Sequence, residues 1–488
     1  MAGRHREGAT RGVDLSIASL EWLVLGAGRE LMLFASVGIL LFGIDDLLFD
    51  GLWIATNGRD RLVDLGVDKE QPLAGKLAIF IPAWKEAAVL PTTLLRSLAA
   101  WGDDDFRIYI GCYPNDAATL LAVSPLAASD PRLRLVIGAA DGPTTKGDNL
   151  NQMWAALCAD ERAEGFRALG VILHDAEDHV HPHELALYRR TLDGNAMVQI
   201  PVVPFVDQGA TWIGGHYCDE FAEAHGKEVV LRSRLGLPIP SAGVGCALAR
   251  STVALLAIER GGDPFRPDSL TEDYELGMLI GAYGLSARFV DAIGPDGDRI
   301  ASRGAFPITV ETAVRQKSRW IAGIALAAWD SLGWIGQIRS IQDGGRPNIW
   351  LTRWMLWRDR RAPLAAIVLL TAYVALVLTT LGVAGTQWLG WAMPTPGQAI
   401  RTLFLVNAVV LLWRLGMRGY FTARWYGPRQ ALQALPRAFL GNVIAILAAR
   451  RAASLYWTML RSGKVVWDKT EHFHRAPLTE PLPSRATE

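Results

Sequence analysis

Apolar and polar positions along this chain fall into three regimes. In the first, residues 15–28 are apolar but interrupted by Glu21, Arg29 and Glu30 follow, and the uncharged run 31–44 leads to Asp45 and Asp46. That run is shorter than the roughly 20 residues a spanning helix needs, so one membrane span is expected here, with flanking residues near an interface. In the second regime, short apolar runs alternate with helical periodicity. Residues 77–82, 107–113, 133–137, 170–174 and 197–203 read as strands, several of them buried on both faces, and 86–100, 146–160, 215–235 and 271–283 read as helices. Strands and helices alternating at this spacing predict an α/β domain with a doubly wound parallel sheet and right-handed crossovers.

The third regime begins after Arg319. Residues 320–334 form an apolar helix suited to lying along a bilayer surface. Residues 346–361 interleave Trp350, Trp354 and Trp357 with Arg353, Arg358, Arg360 and Arg361, the aromatic and positive flank of a cytoplasmic face. No charge occurs in 362–400, which predicts a spanning helix from Leu364 to about Gly382, and 402–413 return across the bilayer. Residues 439–449, flanked by Arg437, Arg450 and Arg451, fit an interfacial helix, a re-entrant segment or a third span. The expected organisation is an N-terminal interfacial and transmembrane region (1–70), a cytosolic catalytic domain (71–318), interfacial helices (319–361), transmembrane and interfacial helices (362–476) and a disordered tail (477–488).

Composition sharpens this picture. A chain of 488 residues allows roughly three domain-sized units, and half of it is hydrophobic, so part must lie in membrane. Lys plus Arg and Asp plus Glu number 49 each, which removes the basic field expected of a nucleic-acid binder. The four cysteines, Cys112, Cys158, Cys218 and Cys246, fit neither zinc spacing nor a disulfide framework and read as reduced core residues. No short apolar stretch ends in a small-residue cleavage site, so no removable signal peptide is expected.

The candidate chemistry centres on a strand that runs through Val171 and His174 into three carboxylates, Asp175, Glu177 and Asp178, before Pro182 opens the next helix. Ligands of open parallel sheets bind beyond the carboxyl ends of the strands, and clustered oxygens there suit a hard divalent cation holding a phosphorylated substrate. A solvated acidic turn capping a helix has the same composition. Asn115-Asp116 ends the second strand, Thr271-Glu272-Asp273 opens a helix, and Gln316-Lys-Ser-Arg-Trp320 precedes the membrane-facing segment. Each alone is an ordinary turn, helix start or interfacial anchor; their order is the specific feature. His174, His179, His181 and His183 lack ordinary zinc-ligand spacing and read as helix-start and surface residues.

An Asp after an early strand, a D-x-D-like turn, T-E-D and Q-x-x-R-W, in that order, resemble the membrane-embedded, processive family-2 glycosyltransferases, the group containing cellulose and hyaluronan synthases. More narrowly, Ile81-Pro-Ala-Trp-Lys-Glu86, Tyr113-Pro-Asn-Asp116, Leu173-His-Asp-Ala-Glu-Asp178, Pro240-Ser-Ala-Gly-Val-Gly245, Ala313-Val-Arg-Gln-Lys-Ser-Arg-Trp320 and Val466-Trp-Asp-Lys-Thr-Glu-His472 resemble the bacteriophage-adsorption protein B (NfrB-like) branch. The resemblance covers roughly residues 31–474. It implies a GT-A-like, Rossmann-like α/β domain inserted between N-terminal and C-terminal transmembrane or interfacial helices, in a bacterial inner membrane with the catalytic domain cytosolic.

Carried over residue by residue, the resemblance places Pro82, Trp84, Glu86, Asp116, Lys146 and Asp148 around the nucleotide of a UDP-sugar donor. Asp116 would bond the base, and Lys146 and Asp148 would border uracil and ribose. Asp175 and Glu177 would bind Mg2+ or Mn2+; the usual D-x-D appears here as Asp175-Ala-Glu177, so either Glu177 or Asp178 takes the second place. Asp273, beside Glu272, would be the general base of an inverting reaction, and Gln316, Arg319 and Trp320 would clamp the diphosphate and the acceptor sugar. The implied function is extension of an exopolysaccharide from a UDP-sugar, plausibly a UDP-N-acetylhexosamine, with the growing glycan as acceptor and an outer-membrane or periplasmic protein as export partner. A non-processive transferase acting on a lipid carrier and a non-catalytic membrane receptor or assembly protein are the alternatives. Longer members of the branch continue into a cytosolic domain associated with cyclic-di-GMP control, which is not carried over to a sequence that reaches Glu488.

Overall fold

The computed structural model describes residues 17–56, 63–64, 72–206, 211–335 and 348–463. The basic N-terminus, the tail 477–488 and the Val466 to His472 motif lie outside these. In chain order the elements are α1 (Ile17–Ala55), β1 (Val63–Asp64), β2 (Leu77–Pro82), α2 (Leu90–Trp101), β3 (Phe106–Cys112), α3 (Ala117–Ser129), β4 (Leu133–Ile137), α4 (Lys146–Glu164), β5 (Gly170–Leu173), α5 (Glu184–Thr191), β6 (Met197–Gln199), β7 (Val202–Pro204), α6 (Ile213–Glu223) and α7 (Val229–Arg234). There follow β8 (Cys246–Ala249), α8 (Arg250–Glu259), α9 (Glu272–Ala282), β9 (Ala287–Phe289), β10 (Ala292–Ile293), β11 (Arg299–Ile300), β12 (Ser302–Gly304), α10 (Val310–Trp320), α11 (Ala328–Leu332), α12 (Ile349–Arg360), α13 (Ala362–Trp388) and α14 (Gln398–Ser462). Two π-helical segments, Ala224–Glu228 and Ile321–Ala327, widen the chain directly after α6 and α10.

Two compact units divide the chain: Met1–Asp50 with Leu364–Arg414, and Gly51–Pro363 with Leu415–Glu488. In the first, small residues let helices approach closely, the packing device of lipid-embedded bundles. A Cβ at Gly38 would lie 2.8 Å from Val368, and one at Gly43 would lie 2.6 Å from Val410. Polar side chains fasten the same helices: Asn407 donates to the Ser36 carbonyl (2.9 Å) and the Trp413 indole to Asp50 (2.9 Å). Among the described residues, three helices are long and apolar enough to cross a membrane: Ser19–Ala55, Ala362–Trp388 and Gln398–Ser462. The last breaks at Gly427, whose φ of 82° and ψ of 171° leave helical space just before Pro428, so the two apolar runs expected at 402–413 and 439–449 belong to one interrupted helical stretch.

The second unit is built on a seven-stranded sheet of order β4-β3-β2-β5-β8-β6-β9. All neighbours are parallel except β8, which is antiparallel to both β5 and β6, so the sheet is mixed where an all-parallel one is expected. The run 197–203, expected as one strand, splits at Ile200–Pro201: β6 joins this sheet while β7 pairs with β12 in a separate two-stranded one. Pro201 has no N–H to donate to a ladder, which accounts for the change of partner there. Alternation along β2 supplies both faces, with Leu77, Ile79 and Ile81 in one apolar cluster and Ala78 and Phe80 in the other. The chain winds outward from β2 through β3 to β4, then returns to place β5 on the other side of β2. The reversal opens a crevice beyond the carboxyl ends of β2 and β5, where open α/β sheets take their ligands.

Candidate active site

The loop after β2 is held by the loop after β3. Lys85 has φ of 58°, a left-handed conformation a non-glycine residue adopts only when its surroundings insist. The insistence comes from Asp116, whose Oδ2 accepts from the Lys85 amide at 2.6 Å and whose Oδ1 accepts from the Thr119 amide as the N-cap of α3. Thr119 Oγ1 in turn accepts from the Glu86 amide at 2.9 Å. Trp84 meets Tyr113 edge to face, 5.3 Å between centroids.

Beyond β5 the acidic turn is pinned from inside. Asp178 Oδ2 accepts from the Asp175 amide (3.0 Å) and pairs with His174 Nδ1 (3.1 Å), while His174 Nε2 pairs with Glu184 (2.8 Å). Burial alone would discharge this imidazole, but the Glu184 and Asp178 carboxylates hold its pKa up at about 10, so His174 is an ion-pair partner. Asp175, Glu177 and Asp178 all line the cavity, with Asp175 Oδ1 accepting from Lys146 Nζ at 2.7 Å. Lys146 stands at the start of α4, which approaches β3 closely because Gly111 has no Cβ. A Cβ there would lie 1.8 Å from Asn149 Oδ1.

A third wall is the turn Ser241 to Gly245 and the start of α9. Buried Gln199 holds the turn, donating to the Val244 and Gly245 carbonyls (2.9 and 3.0 Å) and accepting from the Ala242 amide (2.9 Å). Gly243, at φ of 75°, passes so close to Asp273 that a Cβ would lie 2.5 Å from its Oδ2. Asp273 Oδ1 accepts from the Tyr274 amide at 2.7 Å. Burial raises the Asp273 pKa, and burial together with the Asp273 charge pushes Glu272 up to about 7. Lys146 answers them: burial would lower its ammonium, yet Asp175, Glu272 and Asp273 raise it.

The fourth wall is α10. Its Lys317 ammonium is buried between His216 Nε2 (2.8 Å) and Glu220 Oε1 (2.6 Å) on α6, and Trp320 meets Tyr217 at 6.1 Å and Phe221 at 6.3 Å. These contacts turn Gln316, Arg319 and Trp320 toward one cavity of about 520 Å3.

That cavity brings together Pro82, Trp84, Glu86, Lys146, Asp175, Glu177, Glu272, Asp273, Gln316, Arg319 and Trp320, from motifs spread over more than two hundred residues. Asp116 and Asp148 are not among its lining. Asp116 is instead occupied with the Lys85 and Thr119 amides, and Asp148 accepts from Gln152 on its own helix at 3.1 Å. Glu228, Arg358, Asp359 and Arg361 also line the cavity. The only sequence signal for the two arginines is the basic end of the tryptophan-rich helix, which reads equally as a membrane flank. Among the described residues no group of three or more His, Cys, Asp or Glu is arranged to hold a metal ion. All four cysteines are free thiols.

A sheet with this switch-point crevice and this ordered set of acidic and Q-x-x-R-W residues around it defines a nucleotide-sugar transferase class. The chain belongs to glycosyl transferase family group 2, whose model matches residues 170–449, more than half its length. Bacteriophage adsorption protein B of Escherichia coli K12 is 31% identical to it over 471 residues, covering 90% of this chain and 61% of that protein. Bacteriophage N4 adsorption protein B of Escherichia coli O157:H7 matches with the same identity and coverage, so the chain spans about three fifths of the length of these curated relatives. Among solved structures, a mannosyltransferase from Pyrobaculum calidifontis in complex with GDP-mannose and Mn2+ aligns with a TM-score of 0.49 at 15% identity, covering 88% of this chain and 99% of that one.

Proposed function

We propose that this chain is an inverting, divalent-cation-dependent glycosyltransferase of a bacterial inner membrane. Its catalytic unit faces the cytosol and uses a UDP-sugar, a UDP-N-acetylhexosamine, to extend an exopolysaccharide passed to an outer-membrane or periplasmic export partner. The observation that carries the reading is the convergence of Asp175, Glu177, Asp273, Gln316, Arg319 and Trp320 on one cavity. Two hard carboxylates fit Mg2+ or Mn2+, which protein sites commonly hold through one or two carboxylates plus substrate phosphate oxygens. Glu177 or Asp178 supplies the second ligand beside Asp175, and the bonds of Asp178 Oδ2 to the Asp175 amide and His174 favour Glu177. When bound, the cation neutralises charge on the departing nucleoside diphosphate.

The other roles follow from placement. Asp273 takes the proton of the acceptor hydroxyl, a poor nucleophile until it is deprotonated, and its raised pKa makes it a stronger base than an exposed aspartate. One base and one displacement invert the anomeric centre. The planar guanidinium of Arg319, with Gln316 one turn before it, matches diphosphate oxygens. Trp320, braced by Tyr217 and Phe221, offers an indole to the acceptor sugar. The three apolar helices support membrane anchoring by length and composition.

The test is nucleoside diphosphate release from a panel of UDP-sugars and GDP-mannose, measured for the native chain and for Asp273→Asn. Release confined to the native chain with a UDP-sugar is expected; equal release from both would remove Asp273 as the base. A sizing gel of radiolabelled product separates polymer extension from addition of a single sugar.

A further inference from the structure

Lys146 hydrogen-bonds the carboxylate that opens the acidic turn, and its place is at odds with a purely nucleotide-binding role. Its Nζ lies 2.7 Å from Asp175 Oδ1, the first of the two carboxylates assigned to the metal. It also lies within the fields of Glu272 and Asp273, which together with Asp175 keep its ammonium charged despite burial. A divalent cation at Asp175 would therefore meet an ammonium already there, and two positive groups cannot share one carboxylate oxygen without strong repulsion. An arriving diphosphate changes the balance, since it offers Lys146 oxygens of its own and frees Asp175.

We propose that Lys146 is an internal counter-cation that keeps the divalent ion out of the empty site and releases Asp175 to it when a nucleoside diphosphate arrives, coupling metal binding to donor binding through this one side chain. This rests on the metal and donor reading above and adds an order of events to it. The coupling is reciprocal by thermodynamic necessity: the nucleotide raises affinity for the cation by the same factor as the cation raises affinity for the nucleotide. It also gives a physical reason for a buried lysine among carboxylates that are themselves hard to ionise. With Lys146 on Asp175, one of the clustered carboxylates is compensated before any ligand binds, which lowers the cost of leaving it unpaired in the unliganded site.

The experiment is Mn2+ binding to the full chain in detergent, read from the loss of the free-ion paramagnetic resonance signal, with and without UDP or GDP. The native chain is expected to bind Mn2+ weakly alone and about tenfold more tightly with the productive nucleotide, within the usual range of such couplings. Lys146→Met is expected to bind Mn2+ alone about tenfold more tightly than the native chain, with nucleotide then adding less than about threefold; Lys146→Arg, which keeps the charge, is expected to follow the native pattern. Native coupling with a Lys146→Met variant that binds Mn2+ alone no better than the native chain would overturn the counter-cation role and leave the metal reading standing, provided that Lys146→Arg still binds nucleotide. Absence of Mn2+ binding to native protein under every nucleotide condition would overturn both.

Discussion

Tyr274 and Asp359, 85 residues apart, are joined by a hydrogen bond of 2.8 Å from the tyrosine hydroxyl to Asp359 Oδ2, while Asp359 Oδ1 pairs with Arg232. Tyr274 is the residue whose amide orients Asp273, so the start of α9 is tied by this chain of contacts to α12 and α7. Tyr274→Phe removes one buried hydrogen bond and leaves an oxygen of Asp359 short of a partner. We expect a loss of about 1 to 3 kcal/mol in stability, read by thermal unfolding in detergent, with a fall in turnover larger than any change in nucleotide affinity. Wild-type turnover in the variant would show that this tie does not orient Asp273.

Asp273→Asn keeps the shape and removes the base. Turnover should fall by about 10²- to 10⁴-fold while Mn2+ and nucleotide binding persist. In the native chain burial raises the Asp273 pKa, so the acidic limb of the turnover profile should lie above the ordinary aspartate range, activity being lost as pH falls through that raised value and the carboxylate takes up its proton. An acidic limb near pH 4 would place the base in a solvated setting that the cavity does not provide.

Gly243→Ala asks whether the glycine turn serves the base. The added methyl would stand 2.5 Å from Asp273 Oδ2, and the backbone would still need φ of 75°. The left-handed conformation costs about 1 kcal/mol for an alanine, and the contact pushes the carboxylate aside. Turnover should drop at least about tenfold, since a misplacement of about 1 Å can cost about 10²-fold. Gly262→Ala, with nothing within 4 Å and φ of 126°, provides a strained glycine remote from the cavity lining and should leave turnover unchanged.

Much of this was legible in the residue order. β2 and β5 are short unbroken apolar runs, and such runs bounded by turn residues have few other uses. The T-E-D and Q-x-x-R-W motifs announce the site because two clusters so far apart have no local reason to recur together. What stayed hidden lacks a local signature. The helix α3 is apolar nearly throughout, with Pro125 inside it, so neither amphipathic periodicity nor a clean boundary marks it. The strand β8 is four residues following a glycine turn, and its antiparallel direction depends on where the chain enters the sheet. Gln199 is a lone amide in a strand; only the fold brings the Ser241 turn to it. The pairing of Lys146 with Asp175 is likewise tertiary, and it gives a lysine expected beside uracil and ribose a second partner in the acidic turn.

Glu272 should be a site where function opposes stability. Its pKa stands at about 7 because of burial first and the Asp273 charge second, against 4.5 for the ordinary side chain. A raised carboxyl means the folded state holds a proton that the unfolded state has released. The charged form is therefore destabilising at pH 8, and the penalty fades as pH falls through 7 and is gone below about 4.5. Glu272→Gln should raise stability at pH 8 by on the order of 1 kcal/mol and make no difference at pH 4.5, a contrast that paired thermal melts would read. Equal gains at both values would assign the effect to packing instead of charge.

The contacts of Lys317 with His216 and Glu220 give a last expectation, because they set the face that α10 presents to the cavity. Burial first keeps the His216 pKa down at about 3, where the ring accepts from the ammonium, and the neighbouring cations, Lys317 and Arg418 among them, outweigh the burial cost at Glu220 and hold it at about 2. Both groups carry fewer protons folded than unfolded. Their contribution is thus complete above about pH 6.5 and drains away as pH falls, first through the histidine window and then below 4.5 through that of the glutamate. Lys317→Met strands the Glu220 charge and should cost about 1 to 3 kcal/mol at neutral pH, less than a fully buried pair because the Glu220 side chain is 31% exposed and burial lowers the Lys317 pKa. As pH falls to about 2 the native chain loses the same interaction by protonation of Glu220, so the two melting curves should converge there. A gap that stays constant with pH would mean that Lys317 supports α10 by its methylene packing alone, and turnover in the variant would then follow its stability instead of falling further through displaced Gln316, Arg319 and Trp320.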